Sequence, residues 1–363
     1  MRRYFGLLLL LLFLVGCHGP ATPSSALRFG LQTAPVNLDP RYATDAASTR
    51  IVRLLYQPLV DFDAHSQPTG VLADWQQLSP THYRFHLRTG HTFPDGSAVT
   101  ATDVQQTLNS ILHDSPQSPY RAQLAMLSSI ATPDRKTIDF YLRHADNLFV
   151  SHLNIGILPA KLVTAKHDFA TRPVGSGKFR FKAWPDQNIL QLQRRSDGRL
   201  FEFIEVKDPT VRVLKLLNGE LDIIQNDITP ELITFLQHQK NIDVSTADGS
   251  NFTYIGFNLQ DSITGSHQIR KALAAAIDRN AIIKYVFADH ARPATSILVP
   301  EHWAGDPELK PVRYDPQYAR TLLRKLGYNA KHHLKYQAVT IYIQLEYNFS
   351  MEKIYTCVQN SVH

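Results

Sequence analysis

The stretch Gly175-Ser176-Gly177-Lys178 is the first place to look for chemistry, because a glycine-rich turn ending in lysine can cradle phosphates on backbone N–H groups. The spacing denies it. The glycine that such a loop needs ahead of Gly177-Lys178 is missing, with Arg172 in its place, and Phe179 stands where a Ser or Thr would reach magnesium. Metal chemistry fares no better. The sixteen histidines are scattered, His332-His333 is their only adjacent pair, and no H-E-x-x-H places two imidazoles on one helix face. A serine hydrolase would need a G-x-S-x-G elbow, and none is present. The two cysteines, Cys17 and Cys357, lie at opposite ends of the chain and define no disulfide framework. The expectation is therefore a protein without an enzyme's machinery, without a cofactor and without a metal centre.

The whole chain narrows the class further. Its 363 residues suffice for two or three domains, and 44% hydrophobic with 19% charged residues is ordinary for a soluble globular protein. A formal net charge of +6 without any block of five or six basic residues gives nucleic acid little to bind. The N-terminus is more specific. Arg2 and Arg3 precede an apolar run from Leu7 to Val15, the pattern of a signal peptide and too short to span a bilayer. Leu14-Val15-Gly16-Cys17 resembles the lipobox of bacterial lipoproteins. That resemblance implies cleavage after Gly16 and acylation at Cys17, with several acyl chains giving stable anchoring. The Gly-, Pro-, Ser- and Thr-rich residues that follow have the composition of a tether.

Beyond the tether, periodicity predicts the elements. Tyr83, Phe85 and Leu87 alternate with Arg84, His86 and Arg88, as in a strand with one buried face. Phe93-Pro94-Asp95-Gly96 supplies a turn, and Thr100 with Asp103 forms a capping-box start for a helix carrying Val104, Leu108, Ile111 and Leu112 on one face. Leu27 to Leu31, Thr137 to Leu142, Phe179 to Trp184 and Ile189 to Gln193 read as further strands. Asp208-Pro209 opens a helix that Gly219 closes, with Val213, Leu214, Leu216 and Leu217 expected on its buried side. Gly175 and Gly177 fit a backbone that bends sharply.

Several of these stretches resemble the signature of the family 5 extracellular solute-binding proteins, the oligopeptide- and dipeptide-binding components of ABC importers. Leu72-Ala73-Asp74-Trp75, Phe85-His86-Leu87-Arg88 and Phe93-Pro94-Asp95-Gly96 through Thr100-Ala101-Thr102-Asp103-Val104 carry the first signature. Tyr254-Ile255-Gly256-Phe257-Asn258, Ile269 to Arg279, and Tyr314-Asp315-Pro316 through Gly327-Tyr328 carry the later ones, so the resemblance covers about Leu27 to Tyr328. It implies an α/β (α+β) bilobal fold of the type II periplasmic-binding-protein kind, with the second lobe incomplete. In that layout residues 1–16 are the signal peptide, 17–26 the tether, 27–45 and 170–250 the main α/β domain of lobe I, and 46–169 its accessory subdomain. Residues 251–328 form a partial second lobe and 329–363 a divergent tail.

The resemblance also implies where a ligand would lie. The loop Ala43, Thr44, Asp45 and Ala46 follows the first strand and would serve a ligand through its backbone. Tyr120, in Ser118-Pro119-Tyr120, corresponds to a tyrosine that reaches the peptide in oligopeptide-binding members, and Asn226 to an asparagine that hydrogen-bonds the bound chain. The implied ligand is a short peptide, with nickel, haem or an opine as alternatives. The implied partners are an ABC permease and, through the lipid anchor, the outward face of a bacterial membrane; a monomer is expected. After Tyr328 the family's pattern is expected to fail. Val339, Ile341, Ile343 and Leu345 alternate as a strand, but Tyr347 to His363 match no recognised part of it, as in a truncated or frameshifted member. A non-transporting signalling or assembly lipoprotein is the alternative reading.

Overall fold

The computed structural model describes residues 26–329 apart from 115, 116, 227, 248, 250 and 251, together with residue 334. The signal stretch, Cys17 and the alternation from Val339 to Leu345 lie outside the described residues. In chain order the strands are Leu27–Leu31 (β1), Val60–Phe62 (β2), Pro68–Gly70 (β3), Ala73–Ser79 (β4), His82–Leu87 (β5) and Leu127–Ala131 (β6). Thr137–Leu142 (β7), Phe179–Asp186 (β8), Ile189–Arg194 (β9), Leu200–Glu205 (β10) and Ile223–Ile224 (β11) complete them.

The alternation in β5 does what its period requires. In the antiparallel sheet β4-β5-β7-β6, Tyr83 pairs with Phe140 and Phe85 with Ile138, so one face of each strand enters a shared core. Phe85 and Phe140 meet edge to face, 5.2 Å apart. Helix Ala101–Asn109 covers this sheet with Val104 and Leu108, and a π-helical turn, Ser110–Asp114, extends it with Ile111. The turn before the helix forms as its residues dictate: Gly96 takes φ +86° and its N–H donates to the Phe93 carbonyl at 3.0 Å. Asp103 Oδ2 accepts from the Thr100 N–H (2.8 Å) and from Thr100 Oγ1 (2.7 Å). Its Oδ1 accepts from the Ala160 N–H at 2.7 Å, so one carboxylate fixes the starts of two helices, the second being Ala160–Thr164.

The main sheet runs β11-β1-β10-β9-β8, with β1 parallel to both β10 and β11 and the remaining pairs antiparallel. Helix Ala46–Leu55 lays Ile51, Val52 and Leu55 into a core with Leu31, Leu38, Leu190, Leu192 and Phe203. Leu158 and Phe169 join the same core. The segment 46–169 is therefore not a unit: its two ends pack on the main sheet, and the separate core of the accessory subdomain begins at Leu59 and ends at Ile157.

Two expectations give way to packing. Gly175 and Gly177 do not take left-handed conformations. They are glycines because they press on the end of helix Ala46–Leu55, where an added Cβ would stand 2.3 Å from the Leu55 and Leu54 carbonyl oxygens respectively. In helix Pro209–Leu217, Leu214 and Leu217 face solvent, at 51% and 36% exposure, while Arg212 is wholly buried beside Val213. The guanidinium satisfies the Val206 and Lys207 carbonyls (2.7 and 3.3 Å), and Gly30 beneath it leaves room for its stem.

Beyond residue 252 the described chain carries three helices, His267–Ala276, Arg279–Val286 and Pro316–Lys325, with irregular chain before the first and between the second and third. Helix His267–Ala276 packs against Pro316–Lys325 through Ala275, Ala276 and Ala319, and Asp278 and Asp315 cap the helices that follow them, each accepting from an N–H three residues on (2.9 and 2.8 Å). Tyr254 to Asn258, which the family resemblance implies is a strand, joins no sheet among the described residues. A strand needs a partner ladder, and none of the described strands pairs with it. The segment 301–303 instead reaches the β2–β3 turn, where the Trp303 N–H donates to the His65 carbonyl at 3.0 Å. Among the described residues no helix is long and apolar enough to cross a membrane.

Candidate functional site

Because β1, β10 and β11 run parallel, their carboxyl ends open on one edge of the main sheet, and crevices at such edges are where open α/β sheets take ligands. The loop from β1 to helix Ala46–Leu55 fills that edge. It is held from within. Ser48 Oγ accepts from the Val36 and Asn37 N–H groups (2.8 and 3.0 Å), and the Leu38 N–H donates to the Ala170 carbonyl at 3.0 Å. The Asp39 carboxylate takes the Arg41 guanidinium at 2.6 Å, both side chains being largely buried. Arg41 also lies over the Phe169 ring and donates to Ser110 Oγ at 3.1 Å. Burial pulls the Arg41 pKa down, but the hydrogen bonds and charge of Asp39 outweigh it and leave the guanidinium above its ordinary value. Burial, and after it the charge of Asp39, pushes the neighbouring Tyr56 hydroxyl well above its ordinary range. The loop is a charged but internally neutralised platform.

The structure brings two of the expected site elements together. Tyr120 Oη donates to the Ala43 carbonyl at 3.0 Å, and Ser118 Oγ donates to the Arg41 carbonyl at 2.7 Å, so the Ser118-Pro119-Tyr120 loop is bolted to the 41–43 backbone. Burial raises the Tyr120 pKa, which keeps the hydroxyl protonated as the donor. Of the loop residues, Ala43 is buried, while Thr44 and Ala46 are exposed. Asp45 is an N-cap: its Oδ1 accepts from the Ser48 N–H at 2.8 Å, and its carboxylate is engaged in the helix start. Asn226 stands two residues past the end of β11, exposed and with φ +56°, a left-handed conformation that Asn tolerates better than most residues. Among the described residues its side chain makes no hydrogen bond, and none joins it to Tyr120 or to the 43–46 loop. Sequence reasoning missed Val36. It is 80% exposed on the same loop, an apolar side chain held out by its N–H bond to Ser48, and nothing in its immediate sequence marks it.

Polar groups on fixed backbone at a sheet edge suit non-covalent capture. Among the described residues no three His, Cys, Asp or Glu side chains are grouped to hold a metal ion. The described body is mixed α/β, with a five-stranded, a four-stranded and a two-stranded sheet, and comparison with known proteins gives the family. The family model for bacterial extracellular solute-binding proteins, family 5 Middle, matches residues 67–362, and the chain belongs to that family. It is a family of binding proteins and not of enzymes.

The glutathione-binding protein GsiB of Escherichia coli K12 is 28% identical over 310 residues, covering 80% of this chain and 59% of that protein. The chain thus spans about three-fifths of the length of the curated relatives it matches. Among solved structures, NikZ from Campylobacter jejuni in complex with Ni(L-His) superposes with a TM-score of 0.71 at 21% identity, covering 87% of this chain and 66% of that one. The oligopeptide-binding protein AppA from Bacillus subtilis, in complex with a nonapeptide, gives a TM-score of 0.71 at 22% identity, covering 93% of this chain and 72% of that one. At these identities the likeness is one of fold, that of the type II periplasmic binding proteins.

Proposed function

We propose that this chain is the substrate-binding component of an ABC importer and that it takes short peptides along the carboxyl edge of the main sheet, anchored to the outward face of a bacterial membrane by lipid at Cys17. The observation that carries the reading is the Tyr120 Oη to Ala43 carbonyl bond, which braces the loop that leads from buried Ala43 to exposed Thr44 at that edge. An extended peptide can be held there by main-chain hydrogen bonds, which read the backbone and ignore side-chain identity. The relatives named for binding glutathione and peptides support a peptide-like solute.

Thermal shift of the 363-residue chain against a library of di- to nonapeptides, with glutathione, nickel, haem and an opine as separate arms, tests the ligand. Saturable stabilisation by peptides is the expected outcome. Stabilisation by none of them sinks the reading and favours the non-transporting lipoprotein. Mass spectrometry of the exported protein tests the anchor: a diacylated Cys17 is expected, and an unmodified Cys17 in membrane-associated protein overturns that part.

A further inference from the structure

The junction between the accessory subdomain and the main sheet holds a second feature, away from the crevice. It is a groove of about 670 Å³, within the ~300–1,000 Å³ range typical of small-molecule sites. Gly90, His91 and Thr92 form one bank; the chain around Ser176 to Phe179 and the β9 end around Arg194 to Ser196 form the other. Three of its lining residues are cationic, Lys178, Arg194 and Arg195, and none is acidic.

The three cations are not equally engaged. Arg194 pairs with Asp197 at 2.5 Å and lies over the Phe201 ring. Arg195 is pinned across the groove: its Nη1 donates to the Thr92 carbonyl (2.8 Å) and the Ser176 carbonyl (3.2 Å), and its Nη2 to Thr92 Oγ1 (2.9 Å). Those acceptors are neutral, and among the described residues no carboxylate pairs with Arg195, so its charge stands in place without a counter-charge. Lys178 is exposed; its carbonyl accepts from the Arg195 N–H at 2.9 Å, but its ammonium has neither a hydrogen bond nor an ion pair among the described residues. Ser176, only 4% exposed, is in the same wall, and its Oγ lacks a hydrogen-bond partner. His91 adds no competing anion. Its Nδ1 is 3.0 Å from Gln57 Oε1, and burial, then the charge of Arg88, holds its pKa below the ordinary value.

We propose that this groove binds a small oxyanion, a phosphate or a carboxylate, between Lys178 and the pinned Arg195, with Ser176 in its wall. A fixed guanidinium supplies two-pronged geometry and a free ammonium supplies an adaptable point charge, the combination that oxyanions reward. The inference stands apart from the peptide reading, because none of the groove's lining residues belongs to the crevice.

Isothermal titration of the full chain with inorganic phosphate, sn-glycerol 3-phosphate and succinate tests it. One saturable site per chain is expected. Lys178→Gln should weaken binding by about tenfold, the loss of one charge-assisted contact. Lys182→Gln, an equal charge change on the exposed face of β8 outside the groove, should change it less than about twofold. Equal weakening in both variants, no effect of Lys178→Gln, or no saturable site for any of the three anions overturns the proposal. If the site is present, tightest binding by sn-glycerol 3-phosphate identifies a lipid headgroup, by inorganic phosphate a free anion, and by succinate a carboxylate.

Discussion

Tyr120→Phe separates two roles for the tyrosine. The family resemblance has it reach the ligand; in this chain its hydroxyl is already spent on the Ala43 carbonyl at 3.0 Å. The ring packs on the accessory core and is retained in Phe, so the substitution removes only the hydroxyl. Ala43 is 2% exposed, and no other donor to its carbonyl exists among the described residues. The loss therefore combines one hydrogen bond with a buried carbonyl left unpaired, about 1 to 2 kcal/mol. In a unit of this size that lowers the unfolding midpoint by about 2–4 °C per kcal/mol. Differential scanning calorimetry without ligand reads this directly. Peptide affinity should fall in parallel, by up to about tenfold, as the 43–46 backbone loses its brace. Unchanged stability with abolished peptide binding would refute the brace and make Tyr120 a direct contact; unchanged stability and unchanged binding would remove it from the site altogether.

Three further substitutions test the frame of the fold. Gly177→Ala places a Cβ 2.3 Å from the Leu54 carbonyl oxygen, and backbone on both sides cannot yield. A loss of about 3 kcal/mol or more is expected in urea unfolding. Gly90→Ala, at φ +91° in open space, should cost only about 1–2 kcal/mol. Equal costs at the two positions would mean that conformation and not contact selects Gly177. Asp139, buried beneath Arg84 (2.7 and 2.8 Å) and His82 (3.1 Å), has its pKa lowered chiefly by the Arg84 hydrogen bond. A depressed folded pKa contributes stability above the unfolded value that is lost as pH falls through the folded one. The stability gap between the native chain and Asp139→Asn should thus be full near neutrality and close on acidification, modest in size because Arg84 is partly solvated. A gap independent of pH from 7 to 2 would contradict the ion pair.

The difference between what the sequence disclosed and what it hid follows from the range over which each signal acts. The Phe93–Gly96 turn, the Thr100–Asp103 capping box and the Asp208, Asp278 and Asp315 caps are settled within four residues of themselves, and each forms as its residue types require. The glycines at 175 and 177 were visible as glycines but not as contacts, because the carbonyls that exclude a side chain lie about 120 residues earlier. Arg212 misled for a similar reason. Its four leucine and valine neighbours set a helical stripe, yet the carbonyls of Val206 and Lys207 and the space over Gly30 reward a guanidinium at that point, and Leu214 and Leu217 turn outward. The candidate site shows both kinds of information at once. Tyr120 and Ala43 are 77 residues apart, and family wording alone suggested that both belonged to a cleft. That they touch each other, so that the tyrosine braces the loop, is a property of the parallel β1–β11 edge and the accessory core meeting there. The same reasoning explains Val36 and Arg195: an exposed valine and a single arginine are unremarked in a linear chain. They acquire meaning only when Ser48 and Thr92, brought from elsewhere, fix their positions.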